Sequence, residues 1–205
     1  MTILLQDREV LMRSADANWT YELWEQLPHD EYRYEIIDGV LYMSTAPSPD
    51  HQRTNSRIYR TLFDQIDRRG LGETFYALIG LMILGATPVQ PDLVVVLTED
   101  ADIVSAKRIE GIPALVVEIL SPSTVEYDLV TKRDIYAGAG VPEYWAFRPV
   151  ERDMILHGDP DPLTRAYRHV ERIPIDGELI SPTLPFRAPV ATLFAGTAGQ
   201  ERVES

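Results

Sequence analysis

The sequence predicts a mixed α/β (α+β) fold built on a central β-sheet. Three observations carry this expectation. Helix-like and strand-like segments alternate along the chain. Two short runs, 93–97 (Leu-Val-Val-Val-Leu) and 115–120 (Leu-Val-Val-Glu-Ile-Leu), are apolar at nearly every position, as in central strands covered on both faces. Asp38-Gly39 sits between two strand-like runs, the chemistry of a tight hairpin turn.

In chain order, residues 1–16 read as an N-terminal arm and 18–26 as a short helix. Residues 31–37 and 40–44 are the two hairpin strands, and Pro47 and Pro49 end that unit. Asp50 is a candidate cap for a helix running to about Arg69, closed by Gly70 and Gly72. Residues 73–84 are strand-like with a break near Gly80, and Pro91 introduces the 93–97 strand. An acidic loop, 99–102, precedes the second apolar strand. Ser123 and Glu126 have capping-box spacing and open a helix ending at Gly138 or Gly140. Residues 143–147, 154–157 and 165–170 are later strands, 182–187 a loop, and 190–194 a closing helical turn. The organisation expected is an arm (1–16), one domain (17–195) and a tail (196–205).

Composition narrows the function. The 205 residues carry a formal charge of −13 and no cysteine. The absence of cysteine removes thiolate nucleophiles, thiolate metal sites and a disulfide framework. The charge argues against broad coating of nucleic acid, which needs clustered Lys and Arg. There is neither a signal-peptide pattern nor a membrane-length apolar run, so a cytoplasmic protein without a membrane partner is expected. No P-loop, G-x-G-x-x-G, G-x-S-x-G or H-E-x-x-H occurs, so no nucleotide cofactor is expected. His29, His51, His157 and His169 lack metal-ligand spacing and read as surface or loop residues. Trp19, Trp24 and Trp145 read as core or interface rather than as base-stacking platforms.

Two acids stand where apolar strands should carry no charge. Asp92 opens the first run and Glu118 lies inside the second. A buried carboxylate costs several kcal/mol unless something compensates it, so each needs a cation, donors or a raised pKa. Glu118 lies roughly 10 Å from its strand end at ~3.3 Å per residue. Lys132 lies about 13 Å back along an antiparallel helix at ~1.5 Å per residue. The lysine can therefore sit level with Glu118, and Lys107 and Lys132 are the only lysines beside seventeen arginines. Plainer readings remain open. Asp128 and Lys132 form an i,i+4 helix pair, Asp92 suits a turn after Pro91, and backbone donors alone can satisfy a buried Glu118. A sugar-cleaving pair of Asp92 and Glu118 finds no other support in the chain.

Several segments together carry more. They are Arg33-Tyr34-Glu35-Ile36-Ile37-Asp38-Gly39, Pro47-Ser48-Pro49 with His51-Gln52, Gln90-Pro91-Asp92-Leu93 and Val117-Glu118-Ile119-Leu120-Ser121-Pro122-Ser123-Thr124. Tyr127-Asp128, Lys132, Tyr136 and Val141-Pro142-Glu143-Tyr144-Trp145 complete the series. This series resembles the Uma-type restriction endonuclease family, a domain of unknown function in the PD-(D/E)XK nuclease-like superfamily. The resemblance spans roughly residues 19–194.

The resemblance implies a restriction-endonuclease-like mixed sheet flanked by helices, with a site where two central strands splay. It places Asp92 at the Asp of the Pro-Asp element, Glu118 at the (D/E) position and Glu35 as a further acid. The superfamily lysine should fall at Leu120, so the match moves to Lys132 on the following helix. Asp92 and Glu118, with the Ile119 backbone carbonyl, are hard oxygen donors suited to Mg²⁺ or Mn²⁺. The expected activity is metal-dependent hydrolysis of DNA by an endonuclease, acting as a homodimer. The alternative is a nuclease-fold interaction or DNA-binding module that cleaves nothing. His51, Arg53, Arg57 and Arg60 are candidate DNA contacts: the three arginines share one helix face, in a segment whose local charge opposes that of the whole chain. The competing reading of that face is a solvated surface laced with pairs such as Arg60–Asp64.

Overall fold

The computed structural model describes residues 11–28, 32–83 and 87–194. Its centre is a six-stranded mixed sheet. The chain begins with β1 (Leu11–Arg13), α1 (Tyr21–Trp24), β2 (Arg33–Ile37), β3 (Val40–Ser44), α2 (Pro49–Gln65) and β4 (Gly72–Tyr76). Three short strands and two central ones follow: β5 (Leu81–Ile83), β6 (Thr87–Val89), β7 (Leu93–Leu97), β8 (Ile109–Glu110) and β9 (Leu115–Ile119). A π-helical turn, Tyr127–Lys132, runs into α3 (Arg133–Ala139). The remainder is β10 (Glu143–Arg148), β11 (Asp153–Asp161), β12 (Ala166–Pro174), β13 (Glu178–Ile180), β14 (Arg187–Pro189) and α4 (Val190–Phe194).

The central sheet has the order β12-β11-β10-β9-β7-β4. Only β9 and β10 are parallel, because α3 carries the chain back between them; the other neighbours are antiparallel. The alternation of β7 and β9 sorts their side chains. Leu93, Val95, Leu115, Val117 and Ile119 face a core closed by α2 and the C-terminal segment. Val94, Val96, Val116 and Leu120 face a second core closed by α3 and the small β5–β6–β8 sheet. Both runs read as doubly covered strands, and both are. Asp92 and Glu118 fall on the α3 face by the same period of two.

The hairpin forms as the sequence predicts, with Asp38 and Gly39 both at positive φ (49° and 78°) and Ile37 paired with Val40. Of the segment expected as an arm, Leu11–Arg13 pairs with β3; residues 1–10 and 195–205 lie outside the described residues, as does His29. The cap of α2 is Ser48 rather than Asp50, since the Ser48 hydroxyl accepts from the His51 amide and Pro49 supplies a fixed φ at the first helical position. The helix stops at Gln65, and a 3-10 turn, Asp67–Arg69, takes up the rest of the expected span before Gly70 reverses the backbone. Residues 99–102, expected as a loop, lie in a 3-10 segment (Thr98–Ile103). Ser123 does not box with Glu126. Instead Thr124 donates its amide to Ser121 O and accepts the Ser121 amide, while the Ser123 hydroxyl meets that of Ser121.

At one sheet edge β4 is blunted, because Asp67 takes both the Thr74 amide and its hydroxyl. Among the described residues no helix is long and apolar enough to cross a membrane.

Candidate active site

Four stretches of chain converge on the α3 face at the start of β7. β2 brings Arg33 and Glu35, which share a face because they are two residues apart. Pro91-Asp92 and β9 bring Asp92 and Glu118. The π-helical turn brings Tyr127, Asp128 and Lys132, and α3 adds Tyr136. Glu35, Asp92, Glu118, Asp128 and Lys132 are all less than 5% exposed. They line a cavity of about 30 Å³ together with Arg33, His51 and Ile119. That is room for one or two water-sized species.

The cluster divides into two linked halves. In the first, Asp92 Oδ1 accepts from Arg33 Nη2 at 2.9 Å. Its Oδ2 accepts from His51 Nε2 at 3.0 Å and from the Ile119 amide at 2.8 Å. A carboxylate only accepts, so Nε2 of His51 carries the proton. In the second half Lys132 Nζ lies 2.8 Å from Glu118 Oε1, 3.0 Å from Glu35 Oε1 and 3.7 Å from Asp128 Oδ1. Tyr136 donates its hydroxyl to Glu118 Oε1 at 2.7 Å, and Tyr127 donates to Glu35 Oε2 at 3.2 Å. The Gln90 amide donates to Glu35 Oε1 at 2.7 Å.

Electrostatics separate the two strand acids. Burial alone would raise Asp92, but His51, Arg33 and the Ile119 amide outweigh it and hold the carboxyl well below the usual range. Burial pushes Glu118 up to about 8 despite Lys132, because Asp92, Asp128 and Glu35 compete for the same small volume. Burial likewise pushes Asp128 up to about 6. Burial opposes the charge on Lys132, yet Glu118, Glu35 and Asp128 keep the ammonium above its ordinary range. Tyr127 and Tyr136, buried beside carboxylates, stay protonated and act as donors.

Four carboxyl groups thus face two permanent cations, Arg33 and Lys132. Clustered hard carboxyl oxygens are the donor chemistry that suits Mg²⁺ or Mn²⁺. Asp92 Oδ1 carries a single donor, and among the described residues Glu118 Oε2 meets none. Each therefore keeps lone pairs for a cation. Among the described residues no three His, Cys, Asp or Glu side chains form a metal-ligand set. A cation here would rest on these two carboxylates, backbone oxygen and water, the sparse protein ligation that Mg²⁺ commonly accepts.

Residues 20–191 match the Uma2 family, described as "Putative restriction endonuclease". The chain belongs to that family. Among solved structures, this Uma2 chain is similar to a crystal structure titled as a putative nuclease belonging to DUF820 from Anabaena variabilis ATCC 29413. The TM-score is 0.71 at 18% identity, covering 85% of this chain and 97% of that one. The likeness establishes the nuclease-type fold, a mixed sheet with flanking helices. No curated protein matches the chain.

Asp92, Glu118, Lys132 and Glu35, singled out in the sequence, meet in one cavity of the Uma2 fold. Ile119 joins them through its amide, which donates to Asp92. His51 departs from expectation: it is 7% exposed and held against Asp92 rather than lying on the surface. The cause is its place in the first turn of α2, which aims it at the cavity. His157 is also buried, stacked on Tyr144 at 5.2 Å between centroids, whereas His169 is exposed as expected. On α2, Arg53 pairs with Asp50 at 2.6 Å. Arg57 and Arg60 make no ion pair among the described residues, and Asp64 pairs with Arg68 rather than with Arg60. Arg33 was not anticipated. The signal was available, since Glu35 in the site requires the residue two positions earlier to share its face.

Proposed function

We propose that the chain is a divalent-metal-dependent DNA endonuclease that hydrolyses phosphodiester bonds. Family membership supports a nuclease-like activity. The observation that carries the finer reading is the convergence of Asp92, Glu118 and Lys132, from a strand entrance, a strand interior and a helix, around one ion-sized cavity. A scaffold gains nothing from burying that set, because packed apolar residues would be at least as stable.

Asp92 and Glu118 would hold Mg²⁺ or Mn²⁺, with the Ile119 carbonyl as a further donor. Such an ion, when bound, supplies an acidified water and charge neutralisation at the scissile phosphate. The chain's own groups do the rest. Lys132 orients the attacking water and offsets charge building on the phosphate. Glu35 keeps Lys132 in place from the hairpin side and is itself held by the Tyr127 hydroxyl. Arg33 stands ready to exchange Asp92 for a phosphate oxygen, a planar fork suited to that role. Arg57 and Arg60 track the backbone away from the cavity. The reading extends to a cytoplasmic enzyme working as a homodimer, since one cavity per chain cuts one strand and a symmetric pair cuts two.

The test is a nicking and cleavage assay on supercoiled, linear and single-stranded DNA with Mg²⁺ or Mn²⁺. Asp92→Asn, Glu118→Gln and Lys132→Met should each lose at least a hundredfold in rate while remaining folded. Undiminished cleavage by Asp92→Asn would overturn the reading. Metal-independent DNA binding without cleavage in any form would identify the silent module instead.

A further inference from the structure

Each of the two strand acids has one oxygen fully taken and one open. Asp92 Oδ2 accepts from two donors, His51 Nε2 at 3.0 Å and the Ile119 amide at 2.8 Å. Glu118 Oε1 likewise accepts from two, Lys132 Nζ at 2.8 Å and the Tyr136 hydroxyl at 2.7 Å. A carboxylate oxygen has two lone pairs, so both of these oxygens are filled. Asp92 Oδ1 holds only Arg33, and Glu118 Oε2 holds no donor among the described residues. Each acid can therefore give a cation one oxygen and no more.

The four donors that close these oxygens do not have the same standing. The Ile119 N–H belongs to the backbone of β9, and Lys132 supplies the charge that the acids need. His51, from the first turn of α2, and Tyr136, from α3, each add a second hydrogen bond where one donor already stands. Both side chains are buried. One hydrogen bond is enough to satisfy a buried acceptor, so the second donor is not required for that purpose. Its effect falls on the valence left over for a metal ion.

We propose that His51 and Tyr136 are positioning residues that restrict Asp92 and Glu118 to one oxygen each, and so set a preference for Mg²⁺ over Ca²⁺. Mg²⁺ is small, demands octahedral geometry and keeps several waters, so two single carboxylate oxygens suit it. Ca²⁺ takes more oxygens at longer distances and gains from a carboxylate that binds through both. With Oδ2 and Oε1 closed, Ca²⁺ is denied that gain and Mg²⁺ gives up nothing. The inference rests on the metal-dependent reading for the identity of the ligands. It adds which cation the site prefers and which side chains enforce the choice.

The experiment titrates the full chain, free of DNA, with Mg²⁺ and separately with Ca²⁺ by calorimetry at a single pH. Both cations displace the same protons, so the ratio of their affinities is free of that contribution. Tyr136→Phe removes one hydroxyl and keeps the buried ring. The ratio should then move towards Ca²⁺ by about tenfold, the scale on which the partners of metal ligands act. His51→Leu should move it in the same direction. His51→Gln, whose amide N–H stands where the imidazole N–H stood, should restore the wild-type ratio. Melting curves verify folding, and Tyr136→Phe decides the matter alone if His51→Leu unfolds. A merely loosened site loses both cations together, so an equal loss of Mg²⁺ and Ca²⁺ affinity overturns the proposal. A ratio unchanged in Tyr136→Phe overturns it, as does a His51→Gln ratio shifted as far as that of His51→Leu. A wild type that binds neither cation overturns it together with the metal-dependent reading. The expected shift in a chain that cleaves no DNA overturns the nuclease reading alone. Mg²⁺-dependent cleavage with an unmoved ratio overturns this inference alone.

Discussion

Lys132 Nζ stands 2.8 Å from Glu118 Oε1, and the same ammonium reaches Glu35 Oε1 at 3.0 Å. One cation therefore binds a central strand to the β2–β3 hairpin, beside a cavity with room for only one or two waters. In Lys132→Met both carboxylates lose their counter-charge while still buried, which costs about 3 kcal/mol or more. Urea unfolding at pH 7 should show a lower midpoint with an unchanged slope. At pH 9 the deficit should grow, because Glu118, raised to about 8 in the wild type, then ionises beside the ammonium, whereas the variant has no counter-charge to offer it. An equal deficit at both pH values would mean that the ammonium is not their counter-charge.

Along α2 the three arginines of the candidate DNA face are not equivalent. Arg53 is already engaged with Asp50, whereas Arg57 has no carboxylate partner among the described residues. Arg57→Gln should weaken DNA binding across all sequences and reduce the salt slope by about one. Arg53→Gln should change the slope by clearly less, since part of its charge is spent. Filter binding over a range of salt concentrations separates them, and identical slopes in all three proteins would remove this face from the interface.

The sequence made the central strands and the hairpin legible because their signals are local: apolar runs, and an Asp-Gly turn that needs positive φ. It hid β6 and β8, one of which carries Pro88 within its three residues while the other has only two. β13 and β14 were equally hidden, as three-residue strands that flank a proline-rich turn. In the site, Glu118 and Lys132 could be paired by comparing strand rise with helix rise, since they are 14 residues apart. His51 reaches Asp92 across 41 residues, and no periodicity encodes that pairing; Arg33, 59 residues from Asp92, was legible only through the strand face it shares with Glu35. The wide π-helical turn escaped too, because the Asp128–Lys132 spacing reads as ordinary helix. Its consequence is visible in the long 3.7 Å contact within that pair, which leaves Lys132 closer to Glu118 and Glu35.

Arg33 and a divalent ion compete for Asp92 under the proposed function, because the guanidinium already occupies Oδ1 at 2.9 Å. Arg33→Gln removes that competitor and leaves Asp92 short of positive charge. Calorimetry on DNA-free protein should then find Mn²⁺ bound several-fold more tightly than by the wild type. Affinity for DNA should fall at the same time, since a phosphate-binding fork is gone. Unchanged Mn²⁺ affinity would show that Asp92 is not a ligand.

Stability should depend on pH through Glu118 and His157 with opposite signs, Asp128 acting in the same sense as Glu118 below about pH 6. Burial raises Glu118 from an ordinary 4.5 to about 8, so the folded state holds its proton more tightly than the unfolded one. Its contribution is full below pH 4.5 and disappears as pH rises towards 8. Burial lowers His157 from 6.5 to about 4, so its contribution is full above 6.5 and is lost as pH falls towards 4. Between pH 6.5 and 8 only Glu118 of the pair titrates. In EDTA the wild type should lose stability across that window, by at most about 1.4 kcal/mol per pH unit for one proton. Glu118→Gln should flatten it. His157→Asn should leave it alone and instead steepen the fall between pH 4.5 and 6.5, where the histidine had opposed Glu118. Chemical denaturation at half-unit pH intervals measures all three proteins, and a wild type that gains stability from pH 6.5 to 8 would contradict a raised Glu118.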